Sequence, residues 1–379
     1  MRVPTGNLGR LHESMENEIR DAIDRVLKHS SFILGEEAAE FEKEFAGYIG
    51  TQHAIAVGNG TDAIRLVLWA LGIGAGDEVI TTSLSAFPTA EAIFLAGATP
   101  VFVDIDEATM NLDLMEVEKA VTGRTRAVLA VHLYGLPADI SRLKSICRAR
   151  NIHFIEDCAQ AHGASVGGKR VGTFGVAGCF SFYPSKNLGG ISDGGMVVTD
   201  SADIAESVRM LRDHGRKGRY EHLRVGLNSR MSGINAAVLR VKLKYLEKHN
   251  DERQVIAHEY NRAFCECSNI ITPDKLETTV VDGHVFHQYV IRVRADLREN
   301  IRSMLKENGV GTEVHYPIPL HLQPASALAF SSGKPPVLPQ VERATQEIVS
   351  LPIYPMLTKA EISYVVSQIK KWESSTAHR

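Results

Sequence analysis

Between residues 53 and 157 the chain repeats one pattern, and that pattern constrains the fold more than any other feature. Short apolar runs at 54–57, 78–81, 100–104, 127–131 and 153–157 alternate with amphipathic stretches at 61–71, 90–96, 112–121 and 140–150. The apolar runs read as strands and the amphipathic stretches as helices. Strands that alternate with helices of about ten residues need crossover connections, which build a parallel sheet buried on both faces. An α/β architecture follows.

Beyond Phe180 the pattern changes. Two strands over 180–182 and 195–199, separated by a Gly-rich loop, suggest an antiparallel addition to the sheet. Two longer helices are predicted over 234–248 and 251–265. An alternating strand over 288–294, a helix over 297–308 and a last helix over 359–372 then make a smaller α+β lobe. A chain of 379 residues is long for one ordinary core. We expect a large domain over 1–245, including an N-terminal helical segment, and a smaller C-terminal domain over 246–379.

Composition narrows the partners. Hydrophobic residues are 44% and charged residues 23%, the balance of a globular chain. The formal charge is −3, so no global field draws the protein to nucleic acid or anionic membrane. Any anionic ligand needs a local site. The five cysteines, Cys147, Cys158, Cys179, Cys265 and Cys267, are odd in number and scattered, unlike a disulfide framework. No zinc spacing is present, and no metal is expected. With no apolar signal core and no apolar run of membrane-spanning length, the expected location is cytoplasmic.

In open parallel sheets ligands bind beyond the carboxyl ends of the strands. Three loops there carry chemistry. Val57-Gly58-Asn59-Gly60-Thr61 joins a strand to a helix, where glycines let backbone amides approach an anion. A plain turn with a threonine cap explains it equally well. In Ile155-Glu156-Asp157-Cys158-Ala159-Gln160-Ala161-His162-Gly163 an apolar strand ends in a carboxylate suited to a cationic heteroatom. A capping Asp is the bland alternative. In Phe180-Ser181-Phe182-Tyr183-Pro184-Ser185-Lys186-Asn187-Leu188-Gly189-Gly190 a lysine sits among aromatic and glycine residues. A desolvated lysine is a competent Schiff-base nucleophile, although most lysines are solvated surface groups.

Taken in order, Thr61, Asp157 with Gln160, and Ser181 with Lys186 resemble the DegT/DnrJ/EryC1/StrS aminotransferases, pyridoxal-phosphate enzymes acting on sugars. Gly97 to Asp106, His132-Leu133-Tyr134-Gly135, Gly226 to Met231 and His315-Tyr316-Pro317 extend the similarity over nearly the whole chain. The resemblance implies fold type I: a large domain with a mostly parallel seven-stranded sheet between helices, and a smaller α+β domain. Lys186 would hold the cofactor covalently and move protons. Asp157 would pair with the pyridine nitrogen. Gln160 would meet the ring hydroxyl, and Gly60, Thr61 and Ser181 would bind the phosphate. Asn228 matches an asparagine contributed by the other subunit, which implies a homodimer with shared active sites. Family members commonly place an aromatic residue over the ring where this chain has Ala86, with Phe87 or an aliphatic group as its replacement.

The implied reaction takes the amino group of L-glutamate onto the cofactor as pyridoxamine phosphate and passes it to a nucleotide-linked ketosugar. The branch resembled most acts on C-3 of dTDP-3-keto-6-deoxyhexoses. Branches acting on C-4 of dTDP- or UDP-linked ketosugars share much of the pattern, and a non-catalytic regulator on the same fold is the rival from another class. For the sugar nucleotide the candidates are Tyr183, Lys217 in its basic loop, His315 and Tyr316.

Overall fold

The computed structural model describes residues 1–273, 283–330 and 333–376. Its strands are β1 (His53–Val57), β2 (Glu78–Thr82), β3 (Thr99–Val103), β4 (Thr125–Val131), β5 (His153–Asp157), β6 (Ser165–Val166), β7 (Lys169–Arg170), β8 (Ala177–Ser181), β9 (Gly195–Thr199), β10 (Arg216–Lys217), β11 (Glu221–His222), β12 (Ile270–Ile271), β13 (Tyr289–Val293) and β14 (Ile348–Leu351).

Seven of these form the large sheet, in the order β1-β9-β8-β5-β4-β2-β3. Only β9 runs against its neighbours, pairing antiparallel with both β8 and β1, as the Gly-rich connection suggested. Strand alternation divides the core. Ala54, Ala56, Val128, Ala130 and Val198 pack on one face with Phe41, Phe45, Phe180 and Phe182. Ile55, Val57, Ala127, Leu129 and Val197 pack on the other, under the helices Gly60–Ala70 and Ala202–Leu211. Both faces are covered, which is why the strands read as unbroken apolar runs.

The smaller sheet is β12-β13-β14, wholly antiparallel. It packs with the helices Leu246–Phe264, Ala295–Glu307 and Lys359–Thr376 around Tyr260, Tyr289, Ile291 and Trp372. Val3 belongs to this second core and bridges to Val310. We propose the domain division near residue 245 on these two cores, with the first few residues of the chain crossing back onto the smaller one.

One helix boundary differs from the sequence reading. The two long helices are Gly233–Leu243 and Leu246–Phe264, so the break falls at Lys244 and Tyr245 and not near residue 250. The polar pair His249 and Asn250 reads as a break in sequence, yet both are buried inside the second helix. Asn250 is spent on a tertiary bond, donating 2.9 Å to the His162 carbonyl. No helix among the described residues is long and apolar enough to cross a membrane.

Candidate active site

The loops after β1, β2, β5 and β8 converge on one cleft of about 430 Å³. Gly60, Thr61, Asp157, Gln160, Ser181, Tyr183, Lys186, His315 and Tyr316 all line it. Lys217 and Asn228 do not. Lys217 lies exposed on the β10–β11 hairpin, and Asn228 is exposed, accepting 3.0 Å from Arg230 Nε.

Backbone geometry builds the anion end. The helix Gly60–Ala70 starts at the carboxyl end of β1, capped by Asn59, whose side chain accepts from the Asp62 amide at 2.8 Å. Its first amides therefore face the cleft beside the hydroxyls of Thr61 and Ser181. Residue 60 has to be glycine: a Cβ there would stand 2.7 Å from Ser181 Cβ.

Lys186 follows a tight turn, its amide bonded to the Tyr183 carbonyl at 2.9 Å. The lysine loop is clamped by Asn235, whose Oδ1 accepts from the Ile191 amide at 2.9 Å, and a Cβ on Gly190 would come within 2.2 Å of that oxygen. Lys242, itself buried, donates 2.7 Å to the Gly189 carbonyl. Lys186 keeps some exposure to the cleft but is desolvated by the protein around it. That desolvation lowers its ammonium to about 8, against the opposing pull of Asp157.

Asp157 ends β5 and is buried. Burial pushes its carboxyl upward, while the Ala159 amide at 3.1 Å on Oδ1, the Thr89 hydroxyl at 2.9 Å on Oδ2 and the charge of Lys186 pull the other way. Gln160 is oriented by its neighbours. The Tyr134 amide must meet an oxygen, so Oε1 accepts there at 2.7 Å and Nε2 turns to the Tyr316 hydroxyl at 3.0 Å. One amide proton of Gln160 is left for a ligand. His315 bonds Ser350 through Nδ1 at 2.8 Å, and burial lowers its ring to about 4, so it is neutral near pH 7.

Several residues that no motif marked also line the cleft, namely Ser85, Thr89, His287 and Gln288. Ser85 and Thr89 had a nearby signal, since both sit in the segment expected to cover the ring. In that segment Ala86 lines the cleft and Phe87 does not; Phe87 packs instead against the core cluster that includes Leu84, Ala90 and Phe102.

A cluster of His132, Glu156 and Cys158 lies just behind Asp157 with ligand atoms within 4.8 Å of one another. Its donors and acceptors are already paired. Glu156 accepts from the amides of Gly172, Phe174 and Gly175 at 2.7–2.8 Å, and from His132 Nε2 at 3.0 Å. The Ala138 amide donates to His132 Nδ1 at 3.0 Å, which places the ring proton on Nε2. This arrangement braces the end of β5.

A desolvated lysine amine, a buried carboxylate one strand away and an anion cradle at a helix start are the donor set for a phosphorylated, aldehyde-bearing, cationic ring. Residues 13–370 match the model of the DegT/DnrJ/EryC1/StrS aminotransferase family. The chain belongs to this family. It is 44% identical over 377 residues to the pleiotropic regulatory protein of Geobacillus stearothermophilus, covering 98% of this chain and 99% of the relative. It is 41% identical over 373 residues to the dTDP-3-amino-3,4,6-trideoxy-alpha-D-glucose transaminase of Streptomyces venezuelae, covering 98% and 96%. The crystal structure of S. venezuelae DesV superposes with a TM-score of 0.93 at 41% identity, covering 98% of each chain. This family member is an aminotransferase, and its cofactor is pyridoxal phosphate. The residues lining the cleft fit that cofactor.

Proposed function

We propose that this aminotransferase moves the amino group of L-glutamate to C-3 of a dTDP-3-keto-6-deoxyhexose, giving a dTDP-3-amino-3,6-dideoxyhexose and 2-oxoglutarate. The observation that carries the transamination reading is the joint placement of Lys186, Asp157 and Gln160 around one cleft. The similarity to a transaminase named for a dTDP-3-amino sugar supports the substrate.

When bound, the cofactor supplies an electron sink for carbon–hydrogen cleavage next to nitrogen. The chain's residues then have separate tasks. Lys186 anchors the cofactor and, once released, takes and returns a proton as an amine that loses its charge near pH 8. Asp157 keeps the ring nitrogen protonated, and the free Gln160 amide proton orients the ring hydroxyl. Gly60, Thr61 and Ser181 hold the phosphate. Tyr183, His315 and Tyr316 meet the sugar nucleotide.

Lys186 is the one lysine or arginine lining the cleft among the described residues, yet both substrates are anionic. A homodimer answers this by bringing Asn228 and Lys217 from a second copy. Tyr220 and Val225, 79% and 89% exposed beside the β10–β11 hairpin, give that segment an apolar docking face.

The regulatory alternative is favoured by the name of the G. stearothermophilus relative. A regulator has no need of a desolvated lysine opposite a buried carboxylate. The test is an absorbance spectrum of the purified protein before and after L-glutamate, then mass spectrometry with dTDP-3-keto-6-deoxyglucose and its galactose epimer. A visible band bleached by glutamate, with an amino sugar formed, is expected. Bleaching with neither sugar aminated would shift the substrate to C-4 ketosugars or UDP-linked sugars. No band after adding pyridoxal phosphate would overturn the role of Lys186.

A further inference from the structure

Two hydroxyls stand in line behind Asp157. Ser85 Oγ and Thr89 Oγ1 are 2.8 Å apart, and Thr89 Oγ1 is 2.9 Å from Asp157 Oδ2. An ionised carboxylate only accepts, so the single Thr89 proton goes to Asp157. Thr89 then offers Ser85 only lone pairs, and Ser85 must donate. For the ionised carboxylate this count fixes the direction from Ser85 through Thr89 to Asp157. All three residues are at most 3% exposed, so bulk water does not compete.

The geometry also fixes what the chain of bonds can act on. Thr89 begins the helix Pro88–Ala96, which pins its side chain, and Ser85 lies one turn earlier in the loop after β2. On the carboxylate, Oδ1 is met by the Ala159 amide and Oδ2 by Thr89. We propose that Ser85 and Thr89 are positioning residues acting through Asp157: their hydroxyls keep this carboxylate ionised, so that the proton shared with the cofactor's ring nitrogen stays on the nitrogen. The proposal rests on the reading of Asp157 as the partner of that nitrogen.

The physical reason is a competition inside a dry site. Burial alone favours a neutral carboxyl, and a neutral carboxyl opposite the ring would carry the proton itself. Hydrogen bonds to the carboxylate make it less basic, and aligned donors polarise one another so that the second hydroxyl strengthens the first. The remaining groups that face Asp157 are Lys186, whose ammonium favours its ionised form, His132, whose Nδ1 accepts from the Ala138 amide, and Tyr316, Cys158 and Cys179, whose own ionisation it opposes. Lys186 would give up its free ammonium on holding the cofactor, whereas the hydroxyl pair would stay bonded beside Asp157.

The experiment uses holoenzyme reconstituted with pyridoxal phosphate isotope-labelled at the ring nitrogen. Nitrogen chemical shifts are compared in wild type, Thr89→Val, Thr89→Ser, Ser85→Ala and Asp157→Asn. Wild type should show a protonated nitrogen, Thr89→Val a shift towards the unprotonated position, and Thr89→Ser a return to wild type. Ser85→Ala should move the same way by less. For Thr89→Val kcat should fall about tenfold, the size of one charge-assisted hydrogen bond, at an unchanged glutamate KM. If Asp157→Asn deprotonates the ring but Thr89→Val does not, the relay is wrong and the reading of Asp157 stands. If Asp157→Asn leaves the signal of wild type in place, that reading falls and the relay falls with it. Should Thr89→Val not fold, Ser85→Ala decides the same question, and a wild-type signal in it overturns the relay.

Discussion

Asn187 Oδ1 accepts a 3.0 Å hydrogen bond from His287 Nδ1, tying the residue after the reactive lysine to the segment that leads into the smaller lobe. The direction follows from the other bonds of the amide. Both Asn187 amide protons go elsewhere, to Asn250 Oδ1 at 2.9 Å and to the Val285 carbonyl at 3.1 Å. His287 thus carries its proton on Nδ1, and its buried ring is held neutral, well below the usual imidazole range. Asn187→Ala would leave three buried partners unpaired and should cost on the order of 2–4 kcal/mol of unfolding free energy. Denaturant titration of the apo protein measures it. A loss within the scatter of exposed controls would show that these bonds do not hold the lobes together.

The desolvated lysine sets a pH profile. Only the neutral amine attacks the cofactor's aldehyde, and Lys186 becomes neutral above about 8. Covalent capture of pyridoxal phosphate by the apo protein should therefore rise with pH around a midpoint near 8, where a solvated lysine would need about 10.4. Asp157 favours the ammonium, so Asp157→Asn should move the midpoint lower still. A stopped-flow series across pH reads both values. A midpoint unmoved from the ordinary lysine range would refute the desolvation.

Glu156 is a structural carboxylate by the bonds that it makes. Glu156→Gln replaces an acceptor-only group with one that presents protons to amide donors, and breaking so buried a cluster should cost about 3–5 kcal/mol. Calorimetry should show a lower melting temperature. Metal analysis of the wild-type protein after zinc dialysis should show no bound equivalent at His132, Glu156 and Cys158, since their ligand atoms are already engaged. A stoichiometric zinc would contradict that reading.

Lys217 lies outside its own chain's cleft, so its proposed role in the sugar-nucleotide site requires a second copy. Lys217→Ala should raise the sugar-nucleotide KM severalfold, about the worth of one partly screened charge contact, and leave the glutamate KM nearly unchanged. Steady-state kinetics separates the two. Equal effects on both constants would remove Lys217 from the sugar-nucleotide site, and a monomer at working concentration would remove the shared site altogether.

The sequence by itself determined what is contiguous along the chain. Crossover periodicity identified the parallel sheet, and strand-end loops exposed Lys186, Asp157 and Gln160, because each strand delivers its last residues to the same edge of the sheet. Position 86 was legible as a departure, but not the fate of Phe87, which turns into a core that also draws Leu320, Val341 and Ile348 from distant elements. The break between the two long helices was misplaced because Asn250 is polar for a tertiary reason. Only the tertiary structure decided which polar groups serve the reactive pair. Thr89 meets Asp157 across 68 residues of chain, and Asn187 meets His287 across 100. A hydroxyl or an amide has no local signature for such a partner. Its role is set by the burial that removes water and leaves one donor facing one acceptor.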